Sequence, residues 1–594
     1  MCDNNIPPNA ESIYSLSDGS DIRSRAGFSS PTDEYLAAFA DADRPFLYHY
    51  QVVSDRVETQ LVTRGQFLEL ARRAANCLIF HGVEKNDRVA HCFSGNSPDD
   101  LILRLAEIIA GAVPVTINWQ ADNEERIIYK ITASRAKIVF YDEVFAEKIE
   151  GMRHVLQGQI LLPISVFANF APAALSDLPC LDYADEKAII FTSGTTGLPR
   201  GVLLSHRSYL ANRLTFTDYF RLEPFSPLDL LLVNPLHHAN SSSLADWGMR
   251  RKDTVIHLVQ QYSTLFWLIL AEAERKKRGM LITSLVPRHF DFLENLCEQS
   301  QLPLDKAELA AALAGTDILL GSAPVGAATV NNSLRFCKRL PHVRFGSTET
   351  CLEVMAIPVT MSQEETMTAF QAGWHHHCQG EKAPGFYIGR PHFPFTRVRV
   401  VKAVDFGQDG YMRPCESGQP GYLITQGANL MSGYVDQEEA TSAVFQNQWY
   451  TGLRDIGFYL MAADGQLDYY WLGRDSALLI RGGANYADEQ VAADLIKALS
   501  EELHLPAQQF KLAVVGLNIE SEHEDSCCVT IELDEKSAAR KEDLARDFIA
   551  AATRTVPKGS RPDYVRFGKI PCSFKGAILY PQLKKDFREY LDSL

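Results

Sequence analysis

Ala188-Ile189-Ile190-Phe191, Thr192-Ser193-Gly194-Thr195-Thr196-Gly197, Leu198-Pro199-Arg200-Gly201 and Val202-Leu203-Leu204 run without a break, and this stretch decides the fold. Two short apolar runs flank a loop of hydroxyls and glycines. An apolar run closed by Gly and Pro predicts a buried strand feeding a tight turn. The loop suits a polyphosphate. Gly194 and Gly197 let backbone N–H groups approach an anion, and Thr192, Ser193, Thr195 and Thr196 add hydroxyl donors. Arg200 adds a permanent charge with forked donors. The spacing G-x-x-x-x-G-K-[ST] of the Walker A loop is absent.

Outward from this loop, strands alternate with helices. Phe67, Leu70, Ala71, Ala74 and Leu78 recur at helical spacing after Thr63, and Gly82 ends that helix. Asp87–Phe93 predicts a strand, Asp99 or Asp100 a cap for a second helix, and Val113–Val115 and Lys137–Tyr141 further strands. Beyond the loop, strands are expected at Leu230–Val233, Val255–Val259, Met280–Leu285 and Ile318–Leu320. The pattern predicts an α/β fold with a parallel sheet covered on both faces. Ligands in such sheets bind outside the carboxyl ends of strands, so Asn234–His238, Val286-Pro287 and Gly321–Pro324 are candidate site walls. From about Gly389 to Tyr434, short Val-, Gly- and Pro-rich strands predict a small barrel or antiparallel sheet. From about Gly473 onward the pattern predicts a compact α+β unit.

The chain has 594 residues, enough for three or more structural units. Its 46% hydrophobic and 22% charged residues match an ordinary globular profile. A net charge of −16 with no basic stripe argues against broad nucleic-acid binding. The first residues lack a signal-peptide core, and no apolar run is long enough to span a bilayer. The 12 cysteines show no paired metal spacing, which predicts reduced thiols in a cytoplasmic protein. His375-His376-His377-Cys378 has no second ligand cluster near it in sequence and predicts a surface loop.

Further strings supply what nucleotide handling needs. In Phe345-Gly346-Ser347-Thr348-Glu349, the Glu349 carboxylate can hold Mg²⁺. Asp455, after Tyr450-Thr451-Gly452, can accept hydrogen bonds from ribose hydroxyls. Arg474 and Lys575 are cations for phosphate or its developing charge. Taken in order, these strings resemble the adenylate-forming superfamily of acyl-CoA synthetases, peptide-synthetase adenylation domains and beetle luciferases. Phe191–Val202 is a near-complete match to its phosphate-loop signature, and Gly82-Val83, Asp87–Ala90, Gly111–Val115 and Asn118 match earlier positions. The resemblance runs from about Thr63 to the C-terminus.

The resemblance implies a large N-terminal domain of two α/β sheets plus a small β-barrel, and a small mobile C-terminal domain. The expected division is a weakly ordered tail over 1–32, an adenylation domain over 33–474 and the mobile domain over 475–594. It implies ATP and Mg²⁺, a small-molecule carboxylic acid, and two half-reactions. The acid attacks the α-phosphate to give acyl-AMP and pyrophosphate, and a thiol, usually coenzyme A, then takes the acyl group. By position, Thr192, Ser193, Gly194, Thr195, Thr196 and Gly197 hold the β- and γ-phosphates with Arg200 beside them. Thr348 contacts the α-phosphate and Glu349 the metal. Phe345 stacks on adenine, with Gly321, Ser322 and Ala323 lining the same pocket. Asp455 binds ribose, Arg474 contacts ribose or phosphate, His238 stands at the carboxylate pocket, and Gly482 and Gly483 line the pantetheine tunnel.

Four departures stand out. Arg200 replaces the usual lysine, and Leu453 and Arg454 lengthen the ribose loop. The hinge position falls on Ser476, and Ala577 occupies the position of the lysine that bridges carboxylate and α-phosphate. Lys575 lies two residues away, which along an extended chain restores the same facing. The expected function is therefore acid–thiol ligation with Lys575 in the lysine role. The alternatives are a carrier-protein thiol or amine as acceptor, or a nucleotide-binding pseudoenzyme that lost adenylation with Ala577. Asn240 and Ser241–Ser243 make the expected acyl pocket polar. The mixed walls suggest a small or medium acyl or aryl acid.

Overall fold

The computed structural model describes residues 12–594 except 177, 193–198, 224, 379–380, 383, 475–477, 482–483, 506–508, 535–540 and 573–577. Strand Glu186–Thr192 and strand Arg200–Ser205 form an antiparallel hairpin whose last pair is Thr192 with Arg200. The loop singled out in the sequence is the connection between them. The hairpin joins a seven-stranded sheet, in which Glu186–Thr192 lies parallel to Val113–Thr116, then Arg88–Cys92, Ile138–Tyr141 and Ile160–Pro163. Apolar side chains on both faces explain the near-continuous hydrophobic runs of these strands.

Helices cover this sheet where the periodicity places them. Helix Arg64–Phe80 opens with a capping box between Thr63 and Gln66, buries Phe67, Ala71, Ala74 and Leu78, and is followed by Gly82 at φ +71°. Helix Pro98–Ala110 starts two or three residues earlier than expected. Its cap is Ser97, whose hydroxyl accepts from the Asp99 N–H, with Pro98 preset for the first helical position. Asp99 and Asp100 sit in the first turn, where their charge favours the helix dipole.

The second sheet begins with parallel strands Thr254–Val259, Leu228–Leu232, Met280–Leu285, Thr316–Leu320 and His342–Phe345. Pro45–Val53 adds to its edge, about 200 residues away in sequence. Past His342–Phe345 the sheet turns antiparallel through Phe386–Pro391, Leu467–Arg474, Asp455–Met461 and Gly421–Gly427. This is the Gly/Pro-rich unit expected from about Gly389 to Tyr434, and it continues to Arg474.

After Arg474 the pairing changes. Hairpin Leu478–Arg481 with Ala484–Ala487 precedes a separate three-stranded sheet of Phe510–Leu517, Ser526–Leu533 and Tyr564–Phe567. Helices Asp488–Glu502 and Lys541–Thr555 pack on one face and Tyr580–Asp592 on the other. The adjacent thiols of Cys527 and Cys528 fall into opposite cores, as the two-residue period of a strand requires.

One expectation is corrected. Residues 12–32 are seated on the body rather than weakly ordered. Ile22 is fully buried, the Tyr14 hydroxyl donates to Asp182, and Arg207 donates to the Ile13 carbonyl. The few apolar residues of this polar stretch (Tyr14, Leu16, Ile22 and Ala26) converge on one cluster with Leu210 and Phe395. Among the described residues no helix is long and apolar enough to cross a membrane, no cluster of metal-ligating side chains occurs, and the cysteines are free thiols.

Two asparagines tie the sheets together. The Asn96 side chain donates to the Asn234 and Val259 carbonyls and accepts from the Leu236 N–H. Asn429, 1% exposed, donates to the Thr350 and Glu353 carbonyls. Asn429→Ala orphans both carbonyls and is expected to cost about 2–3 kcal/mol, read as a lowered midpoint of thermal or urea unfolding. An unchanged midpoint contradicts this.

Candidate active site

Strands Thr316–Leu320 and His342–Phe345 end side by side, and a cleft of about 570 Å³, part of it open to solvent, lies at their carboxyl ends. Ser322–Val325 and Val343–Gly346 form one wall. Asp455, Trp471 and Arg474, from the antiparallel unit, form the other, and Ile480 of the hairpin reaches the mouth.

The turn after Phe345 is built to one shape. Gly346 cannot carry a side chain, because a Cβ there falls 1.8 Å from the Leu352 carbonyl oxygen. The Thr350 hydroxyl accepts from the Ser347 N–H at 2.8 Å, and the Leu352 N–H donates to the Ser347 carbonyl at 2.9 Å. Thr348 and Glu349 thus stand half-buried on a fixed turn. The Met431 N–H donates to the Glu349 carbonyl at 2.8 Å, while Ser432 and Val435 donate to Leu203 and Gly201 of the loop hairpin.

Asp455 starts its strand opposite Arg474 despite the two extra residues before it. Arg454 absorbs them in a left-handed turn at φ +56°, and Leu453 is buried. Asp455 Oδ1 accepts from Trp471 Nε1 and Arg474 Nε, both at 2.7 Å. Its Oδ2 has only a 3.4 Å contact with Arg474 and keeps acceptor capacity. Burial works against the Arg474 charge, but the Asp455 carboxylate outweighs it and raises the pKa.

Between Asp455 and the loop hairpin runs a polar bridge. The Arg200 guanidinium lies 5.5 Å from the Tyr434 ring centroid, and the Tyr434 and Tyr450 hydroxyls are 3.5 Å apart. Burial raises both phenols above their ordinary range, and the Glu349 carboxylate raises them further. Among the described residues Glu349 makes no ion pair or side-chain hydrogen bond, and its charge acts on Arg474 and on Tyr434 and Tyr450.

Of the expected site residues, Ser322, Ala323, Phe345, Asp455 and Arg474 line this cleft. Glu349 lies close enough to Arg474 and Tyr450 to act on their charge, and Thr192 and Arg200 pair at the foot of the loop hairpin, with Arg200 over Tyr434. His238 stands apart from the cavity wall, just ahead of helix Ala239–Met249 and near the Lys130–Asp122 pair. Burial first, and the Lys130 charge next, lower its pKa to about 4, so the imidazole is neutral at physiological pH. Ser193, Gly194, Thr195, Thr196, Gly197, Gly482, Gly483, Lys575 and Ala577 lie outside the described residues. In His375–Cys378, His376 is stacked on Phe458 and bonded to the Gly418 carbonyl, which seats this segment on the antiparallel unit.

Trp471, Tyr434 and Arg344 line or frame the cleft and were not legible as site residues. Trp471 alternates in a Tyr-Tyr-Trp run that reads as core, and Arg344 reads only as a charge on a strand.

Comparisons with known proteins agree with this geometry. The family model described as AMP-binding enzyme matches residues 37–435. The chain is 27% identical over 405 residues to sulfoacetate–CoA ligase of Cupriavidus necator, covering 66% of this chain and 69% of that one. It is 25% identical over 537 residues to a long-chain-fatty-acid–CoA ligase of Mycobacterium tuberculosis, covering 89% and 93%. A double mutant of o-succinylbenzoate CoA synthetase from Bacillus subtilis, bound with its product analogue, shares the fold. Its TM-score is 0.71 at 20% identity, over 93% of this chain and 97% of that one. With the cleft, its loop hairpin and the family match in agreement, the chain belongs to the AMP-binding enzyme family, within the adenylate-forming superfamily it resembles by sequence.

Proposed function

We propose that this protein is an AMP-forming acid–CoA ligase. A carboxylate oxygen of the acid attacks the α-phosphorus of ATP and pyrophosphate leaves, giving acyl-AMP. The sulfur of coenzyme A then attacks the acyl carbon, AMP leaves, and the thiol proton is lost to solvent or a base. The observation that carries this reading is the convergence of Phe345, Asp455 and Arg474 on one cleft, with the Glu349 charge close to Arg474. Family membership and relatives named as CoA ligases support it.

In this reading the cleft between Ser322–Val325 and Phe345 takes adenine, and the free Asp455 oxygen takes a ribose hydroxyl. Arg474, held by Asp455, presents its remaining N–H groups to ribose or phosphate. Ser193–Gly197 hold the β- and γ-phosphates, with Arg200 at the hairpin's foot and Thr348 at the α-phosphate. The unpaired, half-buried Glu349 carboxylate fits Mg²⁺, a hard cation that takes carboxylate and phosphate oxygens. Bound there with ATP, the ion neutralises phosphate charge. Neutral His238 stands on the acid side without competing for the carboxylate. Gly482 and Gly483 join Leu478–Arg481 to Ala484–Ala487, whose Ile480 already reaches the cleft, and they line the path of the thiol. We assign 33–474 to adenylation and the α+β unit from 475 to a C-terminal domain that reorients between the half-reactions.

Two substitutions test these assignments. Asp455→Ala is expected to weaken ATP and AMP binding at least about tenfold, measured by calorimetry on protein verified as folded. Unchanged affinity overturns the ribose assignment. Lys575→Ala is expected to slow acyl-AMP formation by about 10²–10³-fold, the loss of one preorganised charge, while transfer from supplied acyl-AMP to coenzyme A persists. Equal loss in both half-reactions, or in neither, overturns the role of Lys575.

A further inference from the structure

Ile480, the hairpin residue at the cleft mouth, is clasped by Asp525. The Ile480 N–H donates to Asp525 Oδ2, and the Ile480 carbonyl accepts from the Asp525 N–H, both at 2.8 Å. Asp525 closes the connection between strands Phe510–Leu517 and Ser526–Leu533. The three residues before it reach out of the C-terminal unit and grip the body of the protein.

Glu522 serves helix Ala327–Cys337, whose N-cap, Gly326, offers no side chain. Glu522 Oε1 accepts from the Thr329 N–H at 3.1 Å, and Oε2 lies 2.6 Å from where a Gly326 Cβ would stand. The carboxylate supplies the missing cap and meets the positive end of the helix dipole. His523 is 3% exposed. Its Nδ1 donates to the Pro324 carbonyl at 3.2 Å, and its Nε2 lies 3.1 Å from the Thr329 hydroxyl. Glu524 pairs with Arg288, at the start of helix Arg288–Glu298. Pro324 belongs to the cleft wall, so the loop braces that wall from behind while Asp525 holds the residue at its mouth. A second tie lies on helix Asp488–Glu502, which follows the hairpin. Arg126, of helix Glu124–Ala133, donates through Nη2 to both Asp494 oxygens at 2.8 and 2.9 Å.

The hairpin and the Lys575 segment face opposite ways. Leu479 and Tyr486 of the hairpin pack on one face of the three-stranded sheet, and Ile570 and Ile578, on either side of Lys575, pack on the other. A pose that turns one face to the cleft turns the other away. Among the described residues, none beyond Ile480 lines the cleft. Building on the ligase reading above, we propose that Glu522, His523 and Glu524 form a latch that selects the thiol-transfer pose. They are positioning residues, acting through Asp525 and Ile480 on how much of the time the hairpin stands at the cleft. Acyl-AMP formation requires the latch to open, so its loss slows one half-reaction and spares the other.

The test uses the full-length protein. The acid is whichever of a panel of straight-chain, branched and aryl carboxylic acids gives the fastest pyrophosphate release from Mg·ATP. Its acyl-AMP, supplied with coenzyme A, then reads thiol transfer alone. Glu522→Ala combined with His523→Ala is expected to slow transfer at least about tenfold and to leave acyl-AMP formation within about twofold. Arg288→Glu is expected to slow transfer in the same way, and adding Glu524→Arg to it is expected to restore transfer to within about threefold. Equal loss in both half-reactions marks the loop as a brace of the fold and overturns the proposal. Loss in neither, loss confined to acyl-AMP formation, or no rescue by the charge swap overturns it too. Should the loop variant not fold, the Arg288 and Glu524 swap decides alone. If the unaltered protein binds ATP yet releases pyrophosphate with no acid of the panel, the ligase reading itself falls and the latch with it.

Discussion

One short stretch, Asn429–Val435, ties the turn that follows Phe345 at one cleft wall to the loop hairpin. Asn429 and Met431 bond to the turn that carries Thr348 and Glu349, and Ser432 and Val435 bond to the strand leaving the phosphate loop. Arg207 and Ser208 close the set by donating to the Leu430 carbonyl. Every one of these bonds uses a backbone group on at least one side, so the separation of the walls is set by main-chain geometry. The reacting groups of this family carry several charges, and a site whose dipoles are fixed beforehand avoids reorganising them during reaction. Asn96 does the same work at the opposite junction, where the first sheet meets strands Leu228–Leu232 and Thr254–Val259.

Charge in the cleft is organised by pairing with one partner left short. Asp455 spends one oxygen on Trp471 and Arg474 and keeps the other nearly free. Tyr434 and Tyr450, which burial keeps protonated, stand near Glu349. Arg344 donates to Asn240 and Ser284 and pairs with the buried Glu353 carboxylate at 3.6 Å.

Local elements were legible where local physics decides them. The 3.6-residue period and Thr63 located helix Arg64–Phe80, and the run Ala188–Leu204 located a strand pair and its turn. Within the site, Phe345, Glu349 and Asp455 were legible because they sit in strings whose order matches the family. The cap of helix Pro98–Ala110 was placed too late, since two aspartates compete with Ser97 as capping residues and only Pro98 at the first position separates them. Long-range features were not legible. Nothing in Pro45–Val53 indicates pairing with Thr254–Val259, and nothing in Tyr14, Leu16 and Ile22 indicates a docking groove beside Leu210. The setting of Arg344 depends on residues 104, 60 and 9 positions away, so it exists only in the folded chain.

The central claim is that the acid is activated by its own oxygen attacking the α-phosphorus of ATP. The most direct measurement uses an acid labelled with ¹⁸O in its carboxylate, incubated with ATP, coenzyme A and the full-length protein, followed by mass analysis of the nucleotide. The account predicts AMP carrying one ¹⁸O, formed together with acyl-CoA. Unlabelled AMP, or ADP in its place, would contradict it.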